Sequence, residues 1–445
     1  MTGDPYPRYR PSGAEWLGDI PGHWEVKRIA ALFSEVVEQG ADNLPILSVS
    51  IHDGVSDKEL DPEEMDRKVT RSDDRSKYKR VARGDLVYNM MRAWQGGFGA
   101  VETEGMVSPA YVVARPKGQL SARFTELLLR TPAAVEEMRR RSRGVTDFRL
   151  RLYWEEFKGI DVVVPPPSEQ KAVLAFLQRE TVKIDALVEE QKRLIDLLKE
   201  KRQAIISHAV IKGLNPDAPM KDSGIDWLGQ VPEHWELTRL KRELDFLTSG
   251  SRGWADHYSD NGSLFIRIGN LTRDTTGLDL TDIQRVEVPR GSEGERTMVR
   301  GGDLLFSITA FLGSIAVVPP ELETAYVSQH VALARLKPSA LRPQWVAYVT
   351  LSDVGKTYLA TQGYGGTKIQ LSLSDVAMLP VPCPPTGEQD EILDFLESET
   401  LRFEQLANDA HMAIGLLNER RVALISAAVT GKIDVSSALR KEEAA

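Results

Sequence analysis

Residues 13–28, GAEWLGDIPGHWEVKR, recur at residues 224–239 as GIDWLGQVPEHWELTR, with nine identical positions at a constant offset of 211. Three further blocks repeat in the same order. They are GDLVY (84–88) with GDLLF (302–306), SPAYVVAR (108–115) with SQHVALAR (328–335), and VVVPPPSEQ (162–170) with PVPCPPTGEQ (380–389). Four matched blocks in one order indicate an internal duplication, so both halves of the chain share one architecture.

Composition is that of a globular protein with more than one domain. The chain has 445 residues, of which 42% are hydrophobic and 27% charged. Its single cysteine, Cys383, excludes a disulfide framework and a cysteine-based zinc site. No N-terminal export signal is recognisable. Residues 304–318, 15 residues within the longest uncharged stretch, are too few to span a bilayer and predict two strands joined by a turn. A cytoplasmic protein is expected.

The net charge of −9 does not exclude nucleic acid as a partner. Residues 387–429 contain nine acidic and three basic side chains, so this segment alone contributes −6. The rest of the chain is close to neutral and keeps two basic clusters. They are Lys77, Lys79, Arg80 and Arg83, and Arg139, Arg140, Arg141 and Arg143.

Each half is predicted to be a mixed domain followed by a long helix. Strands are expected at Ile46–Ile51, Asp85–Asn89, Ala110–Arg115, Asp161–Val164, Leu264–Ile268, Asp303–Ile308, Ile315–Val318 and Val331–Arg335. Helices are expected at Phe124–Arg141 and Pro343–Thr361. The fold class is therefore α+β with a largely antiparallel or mixed sheet.

The two long helices carry matching heptad patterns. The first begins after Pro165–Pro167, with Ser168 as its N-cap, and would be about 64 Å long at about 1.5 Å per residue. Its seam is Leu174, Leu177, Thr181, Ile184, Val188, Gln191, Ile195, Leu198, Arg202, Ile205 and Ala209. The second seam is Leu393, Leu396, Thr400, Phe403, Ala407, Ala410, Ile414, Leu417, Arg421, Leu424 and Ala428. Such a pattern predicts an antiparallel coiled coil, although each helix could instead pack only on its own domain.

These elements predict four segments: domains at 1–165 and 216–385, and helical spacers at 166–215 and 386–445. A long antiparallel two-helix coiled coil would separate two pseudo-symmetric domains. Two diverged domains on a rigid spacer suit a split DNA target, because half-sites along a duplex lie at fixed distances. The same predicted geometry would serve equally well in a two-headed protein-interaction scaffold that does not bind nucleic acid.

The motifs together resemble those of the specificity subunits of type I restriction–modification systems. The resemblance lies in WLGxxPxHW at the start of each half, the GDLV/GDLL strand, and the PPxxEQ or PPxxxEQ element before each long helix. It implies two target recognition domains that each bind one half of a bipartite double-stranded DNA site. It also implies that residues 168–212 and 387–431 dock two modification (methyltransferase) subunits, with restriction (translocase and nuclease) subunits in the full complex.

No catalytic centre, metal site or cofactor is expected. The nearest approach to a phosphate-binding loop, GYGGTK at 363–368, has the wrong spacing, and no Asn-Pro-Pro-aromatic motif of an amino-methyltransferase occurs. The seven histidines lack the H-E-x-x-H spacing of a metalloprotease. The acidic and basic residues at 61–68 lie in a charged, loop-like segment and do not favour a nuclease.

Candidate DNA-binding residues are polar or basic side chains in diverged loops. In the first domain they are Lys77, Lys79, Arg80, Asn89, Arg92, Gln95, Arg143, Thr146 and Arg149. In the second they are Ser251, Arg252, Arg267, Asn270, Arg273, Thr309, Tyr364, Thr367, Lys368 and Gln370. The segment 89–99 could also be a plain hairpin with a buried Trp94. The segments 144–151 and 363–370, which correspond to each other, could be solvated turns.

Two other groups have structural interpretations. Arg139–Arg143 could hold a phosphate or simply favour the C-terminal dipole of a helix. Trp16, His23 and Trp24 recur as Trp227, His234 and Trp235. Because residues that distinguish half-sites should differ between the halves, these repeated residues are predicted to serve packing.

Overall fold

In a computed structural model of the chain, the described residues are 4–41, 43–51, 54–56, 77–118, 120–144, 150–250, 252–288, 292–338, 341–365 and 369–435. The chain forms two compact units. Unit 1 comprises residues 1–191 together with 412–445, and unit 2 comprises residues 192–411.

Unit 1 is a mixed domain built around a four-stranded sheet. Its strands are β1 (Tyr9–Pro11), β2 (Asp19–Pro21), β3 (Glu25–Arg28), β4 (Phe33–Glu35), β5 (Ser48–Ser50), β6 (Gly54–Ser56), β7 (Lys79–Val81), β8 (Leu86–Asn89), β9 (Phe98–Ala100), β10 (Gly105–Val107), β11 (Tyr111–Pro116) and β12 (Asp161–Val164). Its helices are α1 (Ile29–Leu32), α2 (Ala122–Leu129), α3 (Pro132–Arg141), α4 (Trp154–Phe157) and the first part of α5 (Pro167–Lys212).

Unit 2 repeats this plan. Its strands are β13 (Met220–Asp222), β14 (Gln230–Pro232), β15 (Glu236–Arg239), β16 (Leu244–Ser249), β17 (Tyr258–Ser259), β18 (Ser263–Ile266), β19 (Arg285–Val286), β20 (Leu304–Ser307), β21 (Ile315–Val317), β22 (Ala325–Val327), β23 (Val331–Leu336) and β24 (Pro380–Cys383). Its helices are α6 (Leu240–Glu243), α7 (Ser292–Thr297), α8 (Pro343–Leu351), α9 (Asp353–Gln362), α10 (Leu373–Ala377) and most of α11 (Thr386–Val429).

The central sheets have corresponding topologies. Their strand orders are β4-β11-β8-β9 and β16-β23-β20-β21, and all their pairings are antiparallel. One parallel pairing occurs among the described strands, between β18 and β22. The α+β class with a largely antiparallel sheet is thus confirmed, and so is the strand pair with a turn at 304–318.

Alternation along the central strands separates two hydrophobic layers. In β8, Leu86 and Tyr88 contact the helix-side core of unit 1, whereas Val87 belongs to a second cluster on the other face. In β20, Phe306 lies in the helix-side core of unit 2 and Leu305 in the opposite cluster. A period of two therefore places each sheet between two apolar layers, which fixes its register.

The repeated motifs form equivalent joints. In unit 1, Glu169 Oε1 lies 2.7 Å from His23 Nε2, and its Oε2 accepts hydrogen bonds from Trp24 Nε1 (2.8 Å) and Tyr6 Oη (3.1 Å). In unit 2, Glu388 Oε2 lies 2.8 Å from His234 Nε2. The predicted structural role of these histidines and of Trp24 is confirmed.

The Gln of each EQ pair and the Asp of each GDL block also make equivalent contacts in the two units. Gln170 Oε1 accepts from Ser121 N (2.9 Å) and its amide donates to Pro165 O; Gln389 makes the same two contacts with Arg342 N (3.0 Å) and Pro384 O. Asp85 binds the Arg115 guanidinium, and Asp303 binds that of Arg335. These contacts explain why the sequence blocks recur: each block supplies a contact that stabilises the fold shared by the two units.

Exposure along the long helices follows the predicted seams. Between Thr181 and Arg202 of α5, the seam positions are buried or partly buried, and all the other positions are exposed. In α11 the seam from Thr400 to Leu417 is likewise shielded, whereas Arg421 is exposed. In unit 1, Arg421 Nη1 lies 3.0 Å from Asp185 Oδ1, and in unit 2 Arg202 Nη1 lies 3.9 Å from Glu404 Oε1.

Three predictions about helix ends were wrong. The helix expected at Phe124–Arg141 is two helices, because the Thr131 side chain caps a new helix whose first residue is Pro132. The helix expected at Pro343–Thr361 also breaks, where Ser352 accepts a hydrogen bond from Gly355 N. Helix α5 begins at Pro167, with Gln170 N bonded to Pro166 O, so Ser168 lies inside the helix and is not its cap.

Candidate DNA interface

In unit 1 the candidate loops lie side by side at one end of the central sheet. Arg143 and Arg151 exchange two backbone hydrogen bonds of 2.9 Å, and Leu152 N donates to Met90 O at 2.9 Å. This last bond joins the closing segment to the loop that follows β8. Residues 145–149, and with them the candidates Thr146 and Arg149, lie outside the described residues.

Unit 2 has the same arrangement with different side chains. Tyr364 and Gln370 exchange backbone hydrogen bonds of 3.0 and 2.8 Å, and Leu371 N donates to Ile308 O at 2.9 Å. The predicted correspondence between segments 144–151 and 363–370 is confirmed. The candidates Ser251, Thr367 and Lys368 lie outside the described residues.

Two candidates of unit 1 make contacts that hold the fold. Lys79 Nζ donates to Tyr111 O at 2.7 Å, and burial lowers the pKa of this amine. Asn89 is buried, and its Oδ1 accepts a hydrogen bond from Met91 N at 3.0 Å, which shapes the turn after β8. Both side chains are therefore engaged within the unit.

The other described candidates of unit 1 lie at the surface, and the arginines among them have polar partners within the unit. Arg80 pairs with Glu104, and Arg143 pairs with Glu156. Arg92 Nη1 donates to Gln95 Oε1 at 2.8 Å, so these two candidate side chains are hydrogen-bonded to each other. Lys77 is exposed. DNA contact by these guanidinium groups would require exchanging their present partners for phosphate or base edges.

Two arginines of the cluster at the end of α3 share one carboxylate of their own helix. Arg140 and Arg141 each lie 2.8 Å from a carboxylate oxygen of Glu137. The Arg139 guanidinium lies 6.0 Å from the centroid of the Trp94 ring, which is partly exposed. The alternative of a hairpin with a buried Trp94 was therefore wrong about the tryptophan.

In unit 2, two candidates organise the loop after β18. Asn270 is buried; its Oδ1 accepts from Arg267 N at 2.9 Å, and its amide nitrogen donates to the carbonyls of Asp279 and Asp282. Arg267 Nη2 lies 3.0 Å from Asp282 Oδ2. Arg252 is exposed.

Four candidates of unit 2 come together at the paired loops. Thr309 pairs with Gln370, which in turn pairs with Tyr364. The Arg273 guanidinium carbon lies 5.5 Å from the ring centroid of Phe311, two residues after Thr309. The side chains of Tyr364 and Gln370 are exposed.

Phe311 and Ile369 were missed by sequence reasoning. Their side chains are 50% and 47% exposed, and Ala310 N donates to Ile369 O at 3.2 Å. Selecting only polar and basic residues overlooked them. For Phe311 the available signal was an apolar residue three positions after a predicted strand end, in a segment where the two halves differ.

No cluster of potential metal ligands occurs among the residues that the structure describes. No described helix is long and apolar enough to cross a membrane.

The fold and the candidate interface define a class of protein: two similar α+β units that share long helices and present diverged loops. No protein-family model matches the chain. It is 23% identical over 278 residues to the type I restriction enzyme EcoBI specificity subunit of Escherichia coli, an alignment covering 61% of this chain and 58% of that protein. It is 20% identical over 285 residues to the MjaVIII specificity subunit of Methanocaldococcus jannaschii, covering 63% and 64%.

A solved structure shares the fold over most of the chain. It is described as the structural basis underlying complex assembly and conformational transition of the type I R-M system. Its TM-score is 0.69 at 16% identity, covering 93% of this chain and 99% of that one. The resemblance to type I specificity subunits predicted from the motifs is confirmed. The alignments span less than two thirds of the length of these two curated relatives.

Proposed function

We propose that this chain is the non-catalytic specificity subunit of a type I restriction–modification complex. In this role unit 1 and unit 2 each recognise one half of a bipartite DNA target. The chain would act in the cytoplasm with two methyltransferase subunits and, in the full complex, restriction subunits. The names of its relatives and the fold of its structural neighbour support this assignment.

One observation carries the proposal: the scaffold is duplicated, whereas the exposed loops are not. The Asp85–Arg115 ion pair of unit 1 and the Asp303–Arg335 ion pair of unit 2 are equivalent contacts. At the paired loops, however, Arg143 and Arg151 of unit 1 are replaced by Tyr364 and Gln370. Two units with the same internal contacts but different surface residues suit the recognition of two different base sequences, because base-edge chemistry differs from one half-site to the other.

The long helices are inferred to pair antiparallel as a spacer. Two ion pairs support this arrangement, Asp185–Arg421 and Arg202–Glu404. Going from Asp185 to Arg202 advances 17 residues along α5, while the partner retreats 17 residues along α11, from Arg421 to Glu404. Equal and opposite steps are expected of antiparallel helices in one register. A spacer of this kind would make the distance between half-sites part of the target.

The test is to purify the chain with its proposed methyltransferase subunit and to map the DNA positions that the complex methylates. We expect one split sequence with a fixed number of unspecified bases. Competition gel shifts against random duplexes should show preference for that sequence. A complex that neither methylates nor prefers any sequence would contradict the proposal and leave the two-headed protein scaffold as the better explanation.

Exchange of one half provides the control. Replacing residues 224–383 with the second half of another specificity subunit should change one half of the target and leave the other unchanged. A change in both halves would contradict the assignment of one half-site to each unit.

A further inference from the structure

An apolar surface in unit 2 lies among its candidate DNA-binding residues. Phe311, Tyr364 and Ile369 are 50%, 56% and 47% exposed. They lie on adjoining backbone segments, because Ala310 N donates to Ile369 O at 3.2 Å and Tyr364 pairs with Gln370. We call these three residues the apolar tip. Large apolar side chains grouped at a surface mark a binding site more often than isolated ones do.

The backbone beneath Phe311 is held in an unusual conformation. Ala310 has φ of +61° and is the only non-glycine residue with positive φ among those described. Residues with a Cβ rarely adopt this region, and they remain there only where surrounding contacts fix them. Here Phe311 N donates to Thr309 O at 2.8 Å, and Ser314 N donates to Phe311 O at 3.2 Å. The turn therefore holds the phenyl ring at the surface.

The positively charged side chain of Arg273 lies close to the Phe311 ring. The Arg273 guanidinium carbon lies 5.5 Å from the Phe311 centroid, and Arg273 is itself exposed. The adjacent Asp274 is also exposed, so the tip is not uniformly basic. An apolar wedge beside an arginine matches the duplex chemically: apolar side chains enter between base steps, and the cation neutralises a neighbouring phosphate.

The alternative occupant is a partner protein, and the repeat argues against it. A methyltransferase subunit that docks on both halves would require similar surfaces in both units. At the positions of Tyr364 and Gln370, unit 1 has Arg143 and Arg151 instead. At these positions the side chains differ between the described parts of the two units, which suits the ligand that differs between them, namely the half-site sequence.

We propose that Phe311 is a specificity-determining wedge that unstacks a base step in the half-site bound by unit 2, with Arg273 on the adjacent phosphate. This inference rests on the proposed function and goes further by assigning different recognition chemistry to the two units. Unit 1 would recognise its half-site mainly through guanidinium groups. Unit 2 would also depend on the deformability of one base step, which favours pyrimidine–purine steps.

The test uses the full chain with its methyltransferase subunit on the duplex identified by methylation mapping. 2-Aminopurine is placed in turn at each step of each half-site. With the unsubstituted chain, fluorescence should rise on binding at one step of the half-site assigned to unit 2. Phe311→Ala should abolish that rise and weaken binding about tenfold or more, as expected for losing one stacking contact. Phe311→Leu should retain part of both effects, since it keeps an apolar side chain.

Met378→Ala is the matched control, because Met378 is an exposed apolar residue of unit 2 outside the tip. It should behave like the unsubstituted chain. Unchanged fluorescence and affinity in Phe311→Ala, with an unchanged unfolding curve, would overturn the wedge and leave the proposed function intact. Loss of methyltransferase binding by Phe311→Ala would also overturn it, in favour of a protein-docking surface. If the unsubstituted complex selects no duplex, the proposed function fails, and the wedge fails with it.

Discussion

At the scale of single residues, the two EQ motifs do similar work with different numbers of contacts. Glu169 lies within hydrogen-bond distance of His23, Trp24 and Tyr6, whereas the Glu388 side chain lies within hydrogen-bond distance of His234. The indole nitrogen of Trp235, unlike that of Trp24, is buried without a hydrogen-bond partner. Burial, with the nearby Glu169 carboxylate, raises the pKa of Tyr6. Tyr6 therefore remains a neutral donor to Glu169 at ordinary pH.

This difference predicts unequal costs of removing the two carboxylates. Glu169→Ala should lower the free energy of unfolding by about 1–3 kcal/mol, because it leaves the Trp24 indole without an acceptor. Glu388→Ala should cost no more than about 1 kcal/mol, the value typical of a partly exposed pair. Chemical denaturation of both variants measures this, with the Glu388 variant as the matched control. Equal costs would contradict the assignment.

The single cysteine allows a second residue-scale prediction. Burial, with Glu243 and Glu236 nearby, raises the pKa of the Cys383 thiol from its ordinary 9.0 to about 12. Because only the thiolate attacks a disulfide reagent, the native chain at pH 8 should react at least about tenfold more slowly than a free cysteine. Absorbance after adding a thiol-reactive disulfide measures the rate. The chain in denaturant is the control and should react at the ordinary rate; rapid native labelling would be inconsistent with burial of the thiol.

Residues repeated between the halves were predictable, and unrepeated ones were much less so. The scaffold role of His23 and His234 followed from their recurrence alone. The exposure of Phe311 did not, because it depends on the left-handed backbone at Ala310 and on the neighbouring strand that carries Ile369. Tertiary contacts of this kind leave no periodic signal in the sequence.

At the scale of secondary structure, strands and seams were predicted well and helix breaks were not. Strand β12 has the predicted bounds, and β8, β11 and β20 differ from theirs by a residue or so. The breaks at Thr131 and Ser352 depend on side-chain caps. Each cap changes helix stability by only a small free energy, so the apolar periodicity on either side conceals the break. Periodicity locates an element, whereas its ends depend on a few local hydrogen bonds.

The seam of α5 predicts a contrast between two neighbouring apolar residues. Ile195 is 5% exposed, and Leu197 is 51% exposed two residues later. Ile195→Asn should lower the free energy of unfolding by about 2–4 kcal/mol, because it removes buried apolar surface and introduces a polar group there. Leu197→Asn is the matched control and should change it by less than about 0.5 kcal/mol. Denaturant unfolding followed by circular dichroism distinguishes the two; similar losses would contradict the seam.

At the scale of the whole molecule, duplication was predictable from four ordered blocks of sequence. The recurrence of the same joints in each unit follows directly, since the same residues at the same spacing form the same contacts. The spacing of the half-sites is a different kind of property. If the long helices pair antiparallel as proposed, their combined length would set this spacing, which makes the proposal open to experiment.

Lengthening both helices should lengthen the target. One heptad inserted after Lys192 in α5, and one after His411 in α11, would keep both seams in phase and extend each helix by about 10.5 Å at about 1.5 Å per residue. At about 3.4 Å per base pair, the unspecified spacer should grow by about three base pairs while both half-site sequences stay the same. Methylation mapping measures this. A heptad inserted in α5 alone is the control: it should destabilise the chain, because its seam loses its partner. An unchanged spacer in a well-folded double insertion would show that the helices do not set the distance between half-sites.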